Sequence, residues 1–194
     1  MEMSKDLYLQ DLEKAAKVVC NGGIILYPTD TIWGIGCDAT NTKAIERIFR
    51  LKKRADAKAM ISLVGSLNSL RKHVETVPLR ALDEMKKTQS PLTIIYDQPK
   101  GLNDKLKATD GSAAFRIPAL EFTRELCMRI DAPLVSTSAN TSDKPSPSCF
   151  NEIEDDIMKG VDYICMYGRE LSEPKTPSRI VKISNDNKMT VIRE

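Results

Sequence analysis

Short apolar runs, each closed by a proline or a hydroxyl-rich turn, alternate along this chain with stretches of helical period. The clearest is Ile24-Ile25-Leu26-Tyr27, set between Gly22-Gly23 and Pro28. A run that is apolar at every position and too short for a helix reads as a strand buried on both faces. Ahead of it, Leu9, Leu12, Ala16 and Val19 share one helical face over residues 8–20, and the glycine pair stops the helix. Thr42 is placed to cap a helix over 43–51 whose Ile45, Ile48 and Phe49 face the core. A strand at 59–64, a short helix around Leu67 and Leu70, and a helix from Pro78 to Lys87 follow. Strands are predicted at Pro91–Tyr96 and Ala113–Ile117, with a polar loop between them, then a helix through Phe122, Leu126 and Ile130 and a strand at Pro133–Ser136. A helix over 151–159, a strand near 163–167, and a terminal pair at 178–183 and 189–193 turning at Asn185-Asp186-Asn187 complete the chain. Helices and buried strands alternate, but some strands follow each other directly. That pattern predicts an α/β chain of three layers, a twisted mixed sheet flanked by helices, forming one domain over 1–194.

Composition excludes several classes of function. Across 194 residues, 41% are hydrophobic and 29% charged, which suits an ordinary globule large enough to bury a core. No window approaches the ~18 apolar residues of a membrane span, and Met1-Glu2-Met3-Ser4-Lys5-Asp6 lacks the pattern of a secretory signal. The expected location is the cytoplasm, with no membrane partner. Cys20, Cys37, Cys127, Cys149 and Cys165 are scattered and never spaced Cys-x-x-Cys, so they are read as small hydrophobes with free thiols. His73 is the one histidine, which excludes multi-histidine metal sites, and it is read as a solvated surface residue. A net charge of +2 from 29 basic and 27 acidic side chains does not by itself announce nucleic acid.

Three segments ask for more than folding. In Tyr27-Pro28-Thr29-Asp30-Thr31-Ile32-Trp33-Gly34-Ile35-Gly36-Cys37-Asp38 a buried strand breaks into a hydroxyl-rich turn, and glycines then allow a close backbone approach. A turn into a second strand and a ligand site explain it equally well, and the third glycine of a dinucleotide fingerprint is missing. Arg50, Lys52, Lys53, Arg54 and Lys58 stand against the single acid Asp56, either as a solvated helix end or as a grip on phosphate oxygens. No Gly-x-x-x-x-Gly-Lys-Ser/Thr stretch occurs, so any nucleotide must be held by side chains. Pro133-Leu134-Val135-Ser136-Thr137-Ser138-Ala139-Asn140 runs a buried strand into small polar groups that are satisfied either by a local turn or by a ligand at the strand end. Residues 141–149 are rich in proline and serine, with the composition of a mobile loop.

Taken together and in this order, Pro28-Thr29-Asp30-Thr31-Ile32-Trp33-Gly34-Ile35-Gly36, Lys52-x-Arg54-x-x-x-Lys58, Phe115-Arg116-Ile117-Pro118, Ser136-Thr137-Ser138-Ala139-Asn140 with Pro145-Ser146-Pro147, and Pro177-Ser178 resemble the YrdC-like family of threonylcarbamoyl-AMP synthases. The resemblance spans about residues 12–193 and implies a YrdC-like fold with a large, positively charged concave face. It implies an enzyme, a nucleotidyltransferase that makes L-threonylcarbamoyladenylate and pyrophosphate from L-threonine, bicarbonate and ATP for tRNA modification. Thr31, Arg116, Ser136 and Ser178 would contact threonine. Arg54, Lys58, Ser112, Ser138, Asn140, Ser146 and Arg193 would surround ATP, with Lys52 and Arg54 as the catalytic cations. Mg2+ would be held mainly through the ATP phosphates. Trp33 stands where many relatives carry tyrosine or phenylalanine, and Leu63 where some carry a threonine-contacting histidine. The match is to the short form, in which product transfer falls to proteins of the threonylcarbamoyl-transferase complex, with tRNA or double-stranded RNA as a candidate partner. Two alternatives use the same residues: a non-catalytic RNA-binding module, and a carbamoyl-transfer paralogue.

Overall fold

The computed structural model describes residues 3–53, 60–142, 144–170 and 177–194. Its strands are β1 (Ile25–Tyr27), β2 (Gly34–Gly36), β3 (Ile61–Leu63), β4 (Leu92–Tyr96), β5 (Ala113–Arg116), β6 (Leu134–Ser138), β7 (Tyr163–Ile164), β8 (Arg179–Ile183) and β9 (Met189–Arg193). They form a single sheet in the order β7-β1-β2-β6-β3-β5-β4-β8-β9. The sheet is mixed: β3 runs parallel to β5 and antiparallel to β6, and β4 runs antiparallel to β5 and parallel to β8. The expected three-layer α/β architecture is the one observed.

Alternation along each strand builds two cores. Ile24 and Leu26 point to one face and Ile25 and Tyr27 to the other, which is why this run is apolar throughout. On the first face, α2 (Thr42–Leu51), α3 (Leu67–Arg71), α4 (Leu79–Lys87) and α6 (Asp155–Gly160) contribute Ile45, Ile48, Leu70, Ala81 and Ile157. On the second, α1 (Lys5–Cys20) and α5 (Glu121–Ile130) supply Leu12, Val19, Phe122 and Leu126 against Leu63 and Leu134. Among the described residues, this second core draws nothing from β4, β8 or β9. The sheet is therefore left open beside α5, and on that face of the strands the polar Thr93 and Lys182 pair with Ile180 and Ile95.

Helix ends follow local rules. Gly22, at φ +80°, ends α1: its amide bonds to the Val19 carbonyl and that of Gly23 to the Val18 carbonyl, a Schellman pairing. The β8–β9 hairpin turns at the predicted asparagines, with Asn187 left-handed at φ +64°. Asp11 is wholly buried yet satisfied, since Tyr163 Oη (2.7 Å) and the amides of Met166 and Tyr167 donate to its carboxylate. Among the described residues, no helix is long and apolar enough to cross a membrane.

Several sequence expectations need correction. The α1 helix starts at Lys5, capped by Ser4, and its first turn escapes the pattern because Lys5 and Asp6 are polar and Leu7 is exposed. Asn41, not Thr42, caps α2: its side chain accepts from the Ala44 amide and Thr42 is already helical. Pro78 sits at the N-cap of α4 rather than within it. The strand expected at 59–64 is limited to Ile61–Leu63, with Ala59 outside the described residues. The strand at 133–136 continues to Ser138, since Ser138 and Thr137 pair with Gly34 and Ile35. The helix expected over 151–159 is a 3-10 turn at Phe150–Glu152 followed by α6, and the strand near 163–167 ends at Ile164. The polar loop between β4 and β5 holds a 3-10 turn at Asp104–Leu106. His73 is half-buried, stacked on Phe115 with ring centroids 5.8 Å apart. Cys37, Cys127 and Cys165 are buried free thiols, whereas Cys20 is exposed and Cys149 half-buried.

Candidate active site

The turn after β1 is built by hydroxyls. Thr29 Oγ1 accepts from the amides of Thr31 (3.0 Å) and Ile32 (3.2 Å) and lies 2.9 Å from Thr31 Oγ1. This local ring satisfies the polar groups that follow Pro28 and aims Thr31 back over the sheet. Gly36 then lets β2 approach β6, because a Cβ there would lie 2.4 Å from the Val135 carbonyl oxygen. Gly34, two residues earlier on the strand, lines the site itself.

A cavity of about 260 Å³ opens over the middle of the sheet, bounded by β2, β6, β3 and the end of β5. Thr31, Arg116, Ser136 and Ser178 line it together with Ser138, Ser146 and Arg193. Positions drawn from the turn after β1, from β5, β6, β9 and the 139–149 loop thus meet in one place. Arg116 is the charged group on its floor, with a side chain 3% exposed. Its Nη1 donates to Thr31 Oγ1 at 3.1 Å, its Nη2 lies 3.4 Å from Asp30 Oδ1, and its Nε has no hydrogen-bond partner. Across the strand pair from Arg116 stands Thr93, whose hydroxyl lies 2.8 Å from Ser178 Oγ. Arg193 donates through Nη2 to the Ser178 carbonyl at 2.7 Å, so its guanidinium is fixed at the cavity edge. Trp33, 4% exposed, walls the cavity, its ring 5.0 Å from that of Phe150, over which Arg169 sits at 4.9 Å.

Lys52 lies behind this wall. Buried at the end of α2, its Nζ donates to the Ser138 carbonyl and to that of Asn140 (2.6 Å), with Asn140 Oδ1 at 3.4 Å. Asn140 in turn donates to the carbonyls of Thr141 (3.0 Å) and Lys144 (2.6 Å). Lys52 and Asn140 thus brace the turn that presents Ser138, and neither lines the cavity. Ser112 stands apart at the start of β5, with its hydroxyl donated to Asp110 at 2.6 Å. Arg54 and Lys58 lie outside the described residues. Leu63 is wholly buried under α5 and does not face the cavity. Neither Asp30 nor Thr93 has a role in the sequence reading. For Thr93 a signal existed, a lone hydroxyl inside the apolar run Leu92–Tyr96.

The 141–149 loop is tied down near its start by Glu154, which accepts from the Thr141 amide (3.0 Å) and hydroxyl (2.9 Å) and from Lys144 Nζ (2.5 Å). These donors, Lys144 foremost, pull its carboxyl from 4.5 down to about 2. A carboxylate depressed on folding stabilises above its unfolded pKa and loses that contribution as pH falls through the folded one. The loop tether is therefore expected to be intact above pH 4.5 and lost toward pH 2. Carboxyl-carbon NMR titration of Glu154 checks this, with a midpoint near 2 expected and one at the ordinary 4.5 contradicting the tether.

Among the described residues no group of three or more His, Cys, Asp or Glu side chains is placed to hold a metal ion. The donors facing the cavity are hydroxyls and guanidiniums, which suit anionic oxygens.

Comparison with known proteins places this architecture. The family model described as Sua5/YciO/YrdC, telomere recombination, matches residues 17–194. A curated threonylcarbamoyl-AMP synthase of Buchnera aphidicola is 33% identical over 190 residues, covering 94% of this chain and 96% of the relative. The crystal structure of E. coli YciO superposes with a TM-score of 0.80 at 26% identity, over 94% of this chain and 88% of that one. P. abyssi Sua5 complexed with L-threonine superposes with a TM-score of 0.81 at 24% identity, and there the matched region is 94% of this chain but only 53% of the longer Sua5 chain. With its sheet order, its hydroxyl-lined cavity and a family match that runs from α1 to Glu194, the chain belongs to the Sua5/YciO/YrdC family.

Proposed function

We propose that this protein is a threonylcarbamoyl-AMP synthase, forming L-threonylcarbamoyladenylate and pyrophosphate from L-threonine, bicarbonate and ATP. The observation that carries the reading is the convergence of Thr31, Arg116, Ser136 and Ser178 with Ser138, Ser146 and Arg193 on one cavity. The first four suit an amino acid. Arg116 places a guanidinium in the cavity lining for a carboxylate, and hydroxyls surround it. The other three suit phosphate oxygens, with Arg54 and Lys58 assigned to the same triphosphate by their place in the motif.

The chemistry needs no protein nucleophile. The threonine amine combines with bicarbonate to give a carbamate and water. A carbamate oxygen then attacks the α-phosphorus of ATP while the bond to pyrophosphate breaks in line. What the chain supplies is position and positive charge around developing phosphate charge. Mg2+ fits this donor set as a companion of ATP held through phosphate oxygens, since among the described residues no carboxylate lines the cavity. The adenylate would serve tRNA modification in the cytoplasm, with transferase-complex proteins taking it up.

The test is pyrophosphate release by the purified protein. Release from ATP is expected only when threonine and bicarbonate are both present, and release independent of threonine would overturn the assignment. Carbamoyl phosphate in place of those two is expected to give none, which separates this activity from carbamoyl transfer.

A further inference from the structure

Arg116 is a wall shared by two cavities. Besides the 260 Å³ candidate site it lines a second space of about 340 Å³, bounded on its apolar side by Leu70, Met85, Tyr96 and Phe115. A guanidinium with room on both sides is not held in one rotamer by packing alone. What fixes it is a short set of polar contacts, and the charged member of that set is Asp30.

We propose that Asp30 is a positioning residue that, opposite Thr31, fixes the Arg116 guanidinium in one orientation at the boundary between the two cavities; this rests on the synthase reading above. Asp30 lines the second cavity and not the first, so it acts through Arg116 rather than on a substrate. Its side chain is 8% exposed, and Oδ1 lies 3.4 Å from Arg116 Nη2 with no hydrogen bond of its own. Oδ2 accepts from the Ala119 amide at 3.0 Å, which anchors the carboxylate to the segment following β5. The anchor comes from one element and the charge is presented to another, as a fixed strut requires. Buried pairs of this kind contribute geometry more than stability, because desolvation offsets most of their attraction.

Asp30→Asn separates the two contacts. The amide oxygen still accepts from Ala119, so the turn is kept, while the amide nitrogen now meets Arg116 Nη2 donor to donor. With its charged partner gone and a cavity on either side, the guanidinium is no longer held in one orientation. The expected result is a threonine KM raised at least tenfold, with kcat at saturating threonine within about threefold and the KM for ATP within twofold of wild type. Asp30→Glu, which keeps the charge but displaces it by one methylene, is expected to give a threonine KM between the two and serves as the test should Asp30→Asn not fold. Threonine titration followed by the fluorescence of Trp33, the chain's single tryptophan, gives a binding readout without turnover. A threonine KM unchanged in both variants overturns the proposal, and so does a lowered one, since removing a negative charge beside a fixed arginine would tighten carboxylate binding. Wild-type protein lacking threonine-dependent activity would instead overturn the synthase reading itself.

Discussion

Arg116→Ala is expected to lower kcat/KM for threonine by about a hundredfold to several thousandfold, an order-of-magnitude range set by about 3–5 kcal/mol for losing one member of a buried, hydrogen-bonded ionic contact. Three features of the site make this the largest effect on activity. The guanidinium is buried, so water cannot replace it cheaply. It is the charged group at the cavity floor, between Thr31 and the Thr93–Ser178 hydroxyl pair. Its planar fork suits a carboxylate, which a point charge does not reproduce. Alanine also strands the Asp30 carboxylate, so part of the lost activity would reflect a loosened turn. Arg116→Lys separates the causes: the lysine keeps a cation for Asp30, so the fold is expected to hold while threonine KM still rises at least tenfold. Steady-state kinetics with threonine varied at saturating ATP, alongside a thermal melt, reads both quantities. A lysine variant with wild-type threonine KM would remove bidentate recognition from the mechanism.

The architecture was legible wherever burial leaves a pattern. Ile24–Tyr27 is apolar at each position because cores lie on both sides of the sheet, and that alone demanded a layer on each face. Helix limits were less legible, because caps such as Ser4 and Asn41 act through geometry that a neighbouring hydroxyl imitates on paper. The short terminal structures around 150–160 failed for a related reason: Phe150 and Ile153 bury into the core from irregular backbone, which mimics helical spacing. At the site, the sequence marked the segments but not the division of labour within them. Small polar groups at the end of a buried strand advertise unsatisfied hydrogen bonds, and this drew attention to Ser136, Ser138 and Asn140. Which of these faces the cavity and which faces a buried cation depends on strand parity and on a contact spanning 88 residues, Lys52 to Asn140. Asp30 was silent because an acid beside threonines and a proline is also what an ordinary turn looks like.

Lys52→Met is expected to produce the largest loss of stability among the substitutions considered, with an accompanying loss of ATP affinity. Methionine fills most of the volume of the lysine stem, so packing against the end of α2 is retained and the deleted group is the ammonium. Its removal leaves the Asn140 carbonyl buried without that donor, at about 1–3 kcal/mol, while the Ser138 carbonyl loses one of two donors and keeps the Asn140 amide. For a domain of this length such a loss corresponds to a melting temperature lower by roughly 5–10 °C. The functional effect follows from where those carbonyls sit. The 138–140 turn presents Ser138 to the cavity, and through Asn140 Nδ2 it also secures the carbonyl of Lys144, where the chain leads to Ser146. Loosening it displaces two of the hydroxyls assigned to ATP, so the KM for ATP is expected to rise about tenfold or more while the threonine contacts around Arg116 are disturbed less. Asn140→Ala probes the same turn from its other side: it removes the amide bonds to Thr141 and Lys144 but leaves Lys52 a carbonyl to donate to. It is therefore expected to raise the ATP KM with a smaller fall in melting temperature. Were Lys52→Met to melt within 1 °C of the wild type, the ammonium would not be what braces this turn, and its loss of activity would have to be read as direct action on the phosphates.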